Sequence, residues 1–216
     1  MSLRIILADD HKIVRDGLRA LLENQSGMEV VAEADNGRAT VRLARDLLPD
    51  LVIMDIGMPD LNGIDATRQI TTELPKVKVI ALSMHSDRRF VVQMFKAGAS
   101  GYLLKDCAFE ELARAVCAVQ KNQTYLSPAV AGPVMADYIH QQSSGESGFS
   151  VLSPREREVL QLLAEGKSTK AVAALLCVSV KTVETHRQQI MSKLNLQSIA
   201  GLIKYAIREG LTTLDG

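Results

Sequence analysis

The chain has 216 residues, 47% of them hydrophobic and 23% charged, with a formal net charge of +0, and this length allows one large or two small domains. It contains no secretory signal and no apolar stretch of the roughly 18 to 20 residues that span a bilayer, so we expect a cytoplasmic protein that does not bind membranes. The three cysteines form no CxxC pair, which argues against a structural zinc site and favours reduced thiols.

The first 120 residues alternate short apolar runs with segments that carry apolar residues at helical spacing. The apolar runs predict five strands, at 4–8, 29–34, 51–54, 77–82 and 101–104. The other segments predict helices at 12–22, 38–48, 64–74, 88–97 and 109–120. Strands that alternate with helices form a parallel sheet, because right-handed crossovers cover both of its faces. We therefore predict a doubly wound α/β domain with a five-stranded parallel sheet at residues 1–125.

Polar side chains stand at the ends of several predicted strands. Asp9 and Asp10 follow the first strand, Asp55 ends the apolar run of the third, Ser83 follows the fourth and Lys105 follows the fifth. Ligands of such sheets bind at the carboxyl ends of the strands, so we expect these residues to meet there. Taken alone, each has an ordinary alternative, since Asp and Ser are favoured turn residues and Lys is usually solvated.

Three carboxylates held close together repel one another, and a divalent cation removes this conflict. Ligands that are all oxygen atoms favour Mg²⁺ over zinc. A carboxylate beside Mg²⁺, a hydroxyl at Ser83 and an ammonium at Lys105 are the groups that a phosphoryl group requires. The sequence therefore predicts that Asp55 accepts a phosphoryl group.

These residues carry a resemblance to a known family. Asp9-Asp10, Asp55 in MDIGMP, Ser83 in ALSMH and Lys105 in GYLLK resemble the receiver domain of bacterial two-component response regulators, which has a flavodoxin-like fold. The resemblance implies that Asp55 takes phosphate from a histidine kinase, that Ser83 reports it and that Lys105 contacts it.

The resemblance also implies a set of Mg²⁺ ligands. These are Asp9, Asp10, Asp55 and the backbone carbonyl of Gly57, with Asp10 as a direct ligand and Asp9 acting largely through water. A magnesium ion is therefore the expected cofactor.

Two further positions match residues that tune the switch in this family. Tyr102 matches the aromatic switch residue, whose side chain swings inward when the hydroxyl residue, here Ser83, moves. His85 lies two residues after Ser83, where the family tunes the lifetime of the phosphoryl group. An exposed loop histidine is an equally good interpretation of His85, and a core aromatic is the ordinary one for Tyr102.

A linker and a second domain follow. Residues 126–150 predict a linker, with a short helix loosened by Gly132-Pro133 and then the Ser- and Gly-rich tether QQSSGESGFS. Residues 151–216 predict a small all-α domain with helices at 154–164, 169–176, 180–194 and 199–209. Ser153 and Glu156 have the spacing of a capping box, and the short turn at 177–179 indicates helix-turn-helix.

The third helix of this domain has two different faces. Val183, Ile190 and Leu194 form an apolar face that can pack inward. The outward stripe suits the reading of base edges in a major groove, although a merely solvated face would look similar. It consists of Lys181, Glu184, Thr185, Gln188 and Ser192. The predicted DNA contacts, with the lysines and the arginine at phosphates, are Lys170, Ser179, Lys181, Thr182, Glu184, Thr185, Arg187, Gln188 and Lys193.

The charge distribution agrees with a nucleic-acid partner for this domain. From residue 150 onward there are nine Lys or Arg against six Asp or Glu, so this part is mildly basic and the remainder mildly acidic. The segment LSPREREVLQLLAEGKSTKAVAALLCVSVKTVETHRQQIMSKLNL resembles the LuxR-type DNA-binding domain. The whole chain thus resembles a response regulator of the NarL/FixJ type.

The resemblance implies a phosphorylation-switched transcriptional regulator that binds double-stranded DNA. In the family the last helix helps the tail domains to dimerise, so a homodimer is expected on activation. Two alternatives stay open: a phosphate-independent DNA-binding protein with a vestigial receiver, and a metal-dependent phosphohydrolase with an aspartyl nucleophile. The hydrolase is disfavoured because its usual DxD pair is absent, since Ile56-Gly57 follow Asp55. We therefore expect no enzymatic turnover.

Overall fold

The computed structural model describes residues 2–132, 134 and 151–212. The chain forms two compact units, one built around a β-sheet and one containing the C-terminal helices. Most of the predicted linker at 126–150 lies outside the described residues, and the domain boundaries stay predictions. No helix in the described part of the chain is long and apolar enough to cross a membrane.

The first unit alternates strands and helices, as predicted. Its strands are β1 Leu3–Ala8, β2 Met28–Ala34, β3 Leu51–Asp55, β4 Lys78–Ser83, β5 Gly101–Leu104 and β6 Tyr125–Leu126. Its helices are α1 Lys12–Glu23, α2 Gly37–Leu47, α3 Gly63–Glu73, α4 Arg88–Lys96 and α5 Ala108–Gln120. The predicted doubly wound α/β architecture is confirmed.

The sheet is parallel throughout, in the order β2-β1-β3-β4-β5-β6. It has six strands where the sequence predicted five. The additional strand, β6, has only two residues, too few to give a periodic pattern, and it pairs Leu126 with Tyr102. The register of the central strands aligns their carboxyl ends, since Asp55 pairs with Leu82 and Ser83 with Leu104.

The buried position of β3 explains its continuous apolar sequence. All five of its residues are buried, as expected for a strand covered on both faces. On one face the side chains of Ile5 and Ile53 join a cluster that includes Leu18 of α1 and Leu112 of α5. The carboxylate of Asp55 ends a rigid central strand, so its position is determined by the core and not by a mobile loop.

The described residues of the second unit, 151–212, form four helices. They are α6 Pro154–Ala164, α7 Thr169–Leu175, α8 Val180–Leu194 and α9 Ile199–Arg208. A serine caps each helix, and the capping box of Ser153 and Glu156 is present at α6. Between α7 and α8 the chain turns at Cys177, whose φ is +52°. This arrangement confirms the predicted helix-turn-helix.

Candidate functional site

An ammonium group and two buried carboxylates meet at the carboxyl edge of the sheet. The Nζ atom of Lys105 lies 2.7 Å from an oxygen of Asp9 and 2.8 Å from an oxygen of Asp55. Asp9 is 1% exposed and Asp55 is 4% exposed, whereas Asp10 next to them is exposed. The ends of β1, β3 and β5 bring these side chains together, as the sequence predicted for a parallel sheet.

The surroundings of Asp55 disfavour its negative charge. Burial is the main cause, and the nearby charge of Asp9 adds to it, so that the pKa of Asp55 is raised to about 6. Lys105 and the backbone N–H of Gly57, 3.3 Å from a carboxylate oxygen, oppose this rise. Burial alone would lower the pKa of Lys105, but the carboxylates of Asp55 and Asp9 outweigh it and raise that pKa.

The same residues can hold a cation. Asp9, Asp10, His11 and Asp55 each offer one ligand atom, and these atoms all lie within 4.8 Å of one another. A carboxylate with a raised pKa gains most from an added positive charge, and the carboxylate oxygens suit Mg²⁺. The donor set therefore fits the expected ion, while the role of the Gly57 carbonyl stays a prediction.

His11 is a neighbour of this cluster that the sequence analysis did not single out. Its Nδ1 atom lies 2.6 Å from an oxygen of Asp10, and its backbone N–H donates to Asp9 at 2.9 Å. Its side chain is 65% exposed. A histidine directly after two acids at a strand end was the available signal.

Ser83 and Tyr102 are connected through the main chain of His85. The hydroxyl oxygen of Ser83 accepts a hydrogen bond of 2.9 Å from the backbone N–H of His85. The hydroxyl of Tyr102 donates to the carbonyl of the same residue at 2.7 Å. Tyr102 is fully buried, which raises its pKa above its ordinary range. His85 is exposed in the loop between β4 and α4, and its ring stacks on Phe90, with the ring centroids 4.5 Å apart.

The loop after Asp55 is tightly packed. A Cβ atom built on Gly63 would lie 1.9 Å from the carbonyl oxygen of Asp55, and the N–H of Gly63 donates to the carbonyl of Ile56 at 2.9 Å. Asn62, which is 1% exposed, caps α3 by accepting from the N–H of Asp65. Only a glycine allows α3 to begin this close to the end of β3.

Helix α8 has the two faces that its sequence predicts. Val183 and Ile190 are fully buried, while Leu194 is only partly buried. The outward stripe is exposed at all five positions, which are Lys181, Glu184, Thr185, Gln188 and Ser192. Lys170 on α7 is also exposed.

Several of the other predicted DNA contacts are already engaged within the helical unit. The Nζ atom of Lys193 lies 2.7 Å from a carboxylate oxygen of Glu156, whose side chain is 4% exposed. Ser179 accepts from the N–H of Thr182, and the two hydroxyls lie 2.8 Å apart. Arg187 is partly buried and lines a cavity of about 300 Å³. No local pattern predicted the ion pair of Lys193, because its partner lies 37 residues away.

The chain matches two families of known domains. Residues 5–117 match the response regulator receiver domain, and residues 150–206 match the luxR family of bacterial regulatory proteins. The chain is 38% identical over 215 residues to the transcriptional regulatory protein MctR of Rhizobium johnstonii, covering 100% of this chain and 98% of that protein. It is 41% identical over 211 residues to the transcriptional regulatory protein LiaR of Bacillus subtilis, covering 97% and 99%.

Solved structures of response regulators are also similar to the chain. The chain superimposes on a complex of the two-component response regulator RcsB with DNA, with a TM-score of 0.60 and 28% sequence identity, covering 95% of this chain and 98% of that one. It also resembles a response regulator of the LuxR family from Aurantimonas, with a TM-score of 0.62 and 37% identity, covering 64% and 99%.

Proposed function

The chain belongs to the response regulators that join a receiver domain to a LuxR-type helix-turn-helix domain, and on this premise we propose that phosphorylation of Asp55 controls DNA binding by helix α8. The observation that carries the proposal is the contact of Lys105 with both Asp9 and Asp55 at the ends of three parallel strands. A buried nucleophile, an adjacent cation and the hydroxyl of Ser83 are the parts that a phosphoryl-accepting site needs.

In the proposed reaction a carboxylate oxygen of Asp55 attacks the phosphorus of a phosphohistidine on a histidine kinase. An O–P bond forms, the P–N bond breaks, and the imidazole of the kinase leaves. Asp9, Asp10 and Asp55 would hold Mg²⁺, which when bound neutralises charge on the phosphoryl oxygens. The ammonium of Lys105 then turns from the Asp55 carboxylate to a phosphoryl oxygen, and Ser83 donates its hydroxyl to another.

The signal leaves the site through Ser83. If its hydroxyl turns toward the phosphoryl group, the hydrogen bond from the N–H of His85 changes, and the carbonyl of the same residue holds Tyr102. Phosphorylation would thus favour the buried position of Tyr102 within an equilibrium of two states. This coupling supports the assignment of Tyr102 as the switch residue.

The partners follow from the family. We propose a sensor histidine kinase as the phosphate donor, double-stranded DNA as the target, and a homodimer as the active form. One solved relative is described as two RcsB dimers bound to two parallel DNAs, and symmetric pairing predicts an operator with two half-sites. A regulator of this class acts where the chromosome lies, which supports a cytoplasmic location. We propose no hydrolase activity, because Gly57 stands where the DxD pair needs an acid.

Acyl phosphate tests the assignment of Asp55. Treatment of the full chain with acetyl phosphate and Mg²⁺ should add one phosphoryl group by intact-mass measurement and should tighten DNA binding. The variant Asp55→Ala should gain neither property, while Asp46→Ala, which removes an exposed carboxylate of α2, should retain both. Uptake of label by Asp55→Ala would contradict the proposal, and so would phosphorylated wild type whose DNA affinity is unchanged.

A further inference from the structure

We propose that helix α8 selects a half-site in which Glu184 contacts a cytosine and Gln188 contacts an adenine, with Thr185 against a thymine methyl group. The inference rests on the proposed binding of DNA by α8 and adds the bases that this chain prefers. Some polar groups of the exposed stripe and its neighbours already have partners within the helical unit, and those without partners are left to contact bases.

Glu184 and Gln188 carry the free polar groups of the central part of the stripe. Both side chains are exposed, and among the residues that the structure describes none pairs with the carboxylate of Glu184 or the amide of Gln188. By contrast, Lys193 is held by Glu156 and the hydroxyl of Ser179 by Thr182. Base discrimination by α8 therefore falls to a small set of groups.

Thr185 presents a methyl group to the groove. Its hydroxyl donates to the backbone carbonyl of Lys181 at 3.0 Å, within the same helix. That donor is therefore occupied, and the γ-methyl group is the part of the side chain left for contact. An apolar contact with the C5-methyl group of thymine is the base contact that suits it.

Glu184 limits the bases that can lie opposite it. An ionised carboxylate only accepts hydrogen bonds. Guanine and thymine present acceptors to the major groove, and adenine presents an acceptor beside its amino group, whereas cytosine presents the N4 amino donor. Close to DNA phosphates, a carboxylate without a donor is repelled, so Glu184 both favours cytosine and disfavours the other bases.

Gln188 can form hydrogen bonds of a kind that the carboxylate of Glu184 cannot. Its side chain has both a donor and an acceptor, which match N7 and N6 of adenine in a bidentate contact. Glu184 and Gln188 are four residues apart, about 6 Å along the helix axis. Stacked bases are about 3.4 Å apart, so the two contacts fall one or two base pairs from each other.

Selection from a random pool of double-stranded DNA tests the inference. The full chain, treated with acetyl phosphate and Mg²⁺, is compared with Glu184→Lys and Glu184→Gln at one fixed ionic strength. Wild type should enrich cytosine at one position by about 5-fold to 150-fold over the other bases. In Glu184→Lys this position should change to guanine, because lysine donates to O6 and N7. Glu184→Gln should lose the cytosine preference while preserving the helix surface.

Adjacent glutamines provide a matched control. Gln188→Ala should remove the adenine preference one or two base pairs away. Gln189→Ala truncates an exposed glutamine that lies outside the stripe and should leave every base preference unchanged. If Glu184→Lys and Glu184→Gln have the same base preferences as wild type at all positions, the inference is overturned while the proposed function still stands. Wild type that enriches no motif, with or without acetyl phosphate, would overturn the proposed function as well.

Discussion

The buried carboxylate of Asp55 destabilises the folded state when it is charged. Its pKa is raised to about 6 because it is buried and lies near Asp9. Below its unfolded pKa of 3.8 both states are protonated, so the group has no effect on stability. Between pH 3.8 and 6 the unfolded state loses its proton first, and the native state becomes less stable as the pH rises. Above pH 6 the full penalty, at most about 3 kcal/mol, remains.

This penalty leads to a prediction for Asp55→Asn. The neutral side chain of the same shape should increase the free energy of unfolding by about 1 to 3 kcal/mol at pH 7.5. At pH 3.5 the difference should shrink to a few tenths of a kcal/mol, because Asp55 is then protonated in the native state and about two-thirds protonated in the unfolded state. Urea unfolding followed by circular dichroism measures both values. A variant less stable than wild type at pH 7.5 would show that the ion pair with Lys105 outweighs burial.

Lys193 has a structural role that competes with its predicted contact to DNA. Its ammonium holds the buried carboxylate of Glu156, whose pKa burial would raise but which the hydrogen bonds from Lys193 and Ser153 lower. Lys193→Met should therefore destabilise the helical unit by about 1 to 2 kcal/mol, since solvent screens the half-exposed ammonium and Glu156 keeps the hydrogen bond from the N–H of Ser153. Lys170→Met, at an exposed position, should not. Thermal unfolding of the two variants compares them directly, and equal melting temperatures would refute the structural role.

At the scale of elements, the junction of β3 and α3 is the least tolerant part of the first unit. Gly63→Ala places a methyl group 1.9 Å from the carbonyl oxygen of Asp55 by its ideal position. The backbone must shift, so we expect a loss of about 3 kcal/mol of unfolding free energy. Phosphorylation by acetyl phosphate should also slow, because the shift moves Asp55 relative to Lys105. Rates of label uptake measure this effect.

Gly132→Ala is the control for Gly63→Ala, since among the residues that the structure describes a Cβ at Gly132 meets no atom within 4 Å. This variant should match wild type in both stability and rate of label uptake. Unchanged stability of Gly63→Ala would mean that the loop after Asp55 yields easily, contrary to its packing.

The sequence predicted the elements well where pattern and position agree. The continuous apolar run of β3 and the polar residues at strand ends were sufficient to predict that Asp9, Asp55 and Lys105 meet, because a parallel sheet brings such ends together. The contacts of His85 were not predictable, since they depend on the backbone path between β4 and α4. The short strand β6 and the ion pair of Lys193 with Glu156 were missed for the same reason. Both depend on tertiary contacts that leave no local pattern.

For the whole molecule, each unit has a hydrophobic core of its own. Ile190 is fully buried in the helical unit, so Ile190→Ala should cost about 2 to 4 kcal/mol there. We expect the variant to lose DNA binding at elevated temperature while Asp55 still accepts phosphate from acetyl phosphate at the wild-type rate. Electrophoretic mobility shifts and intact-mass measurements follow the two properties. A parallel loss of both would show that the two cores unfold as one.

The pairing of β6 also decides how the first unit can be isolated. Leu126 pairs with Tyr102, and the N–H of Ser127 donates to the carbonyl of Tyr102 at 2.9 Å. A fragment that ended at residue 125 would divide this strand and leave the backbone of β5 as an open edge, which invites pairing with another chain. A fragment for crystallisation or kinase assays should therefore extend past residue 127, so that the switch residue keeps its neighbour.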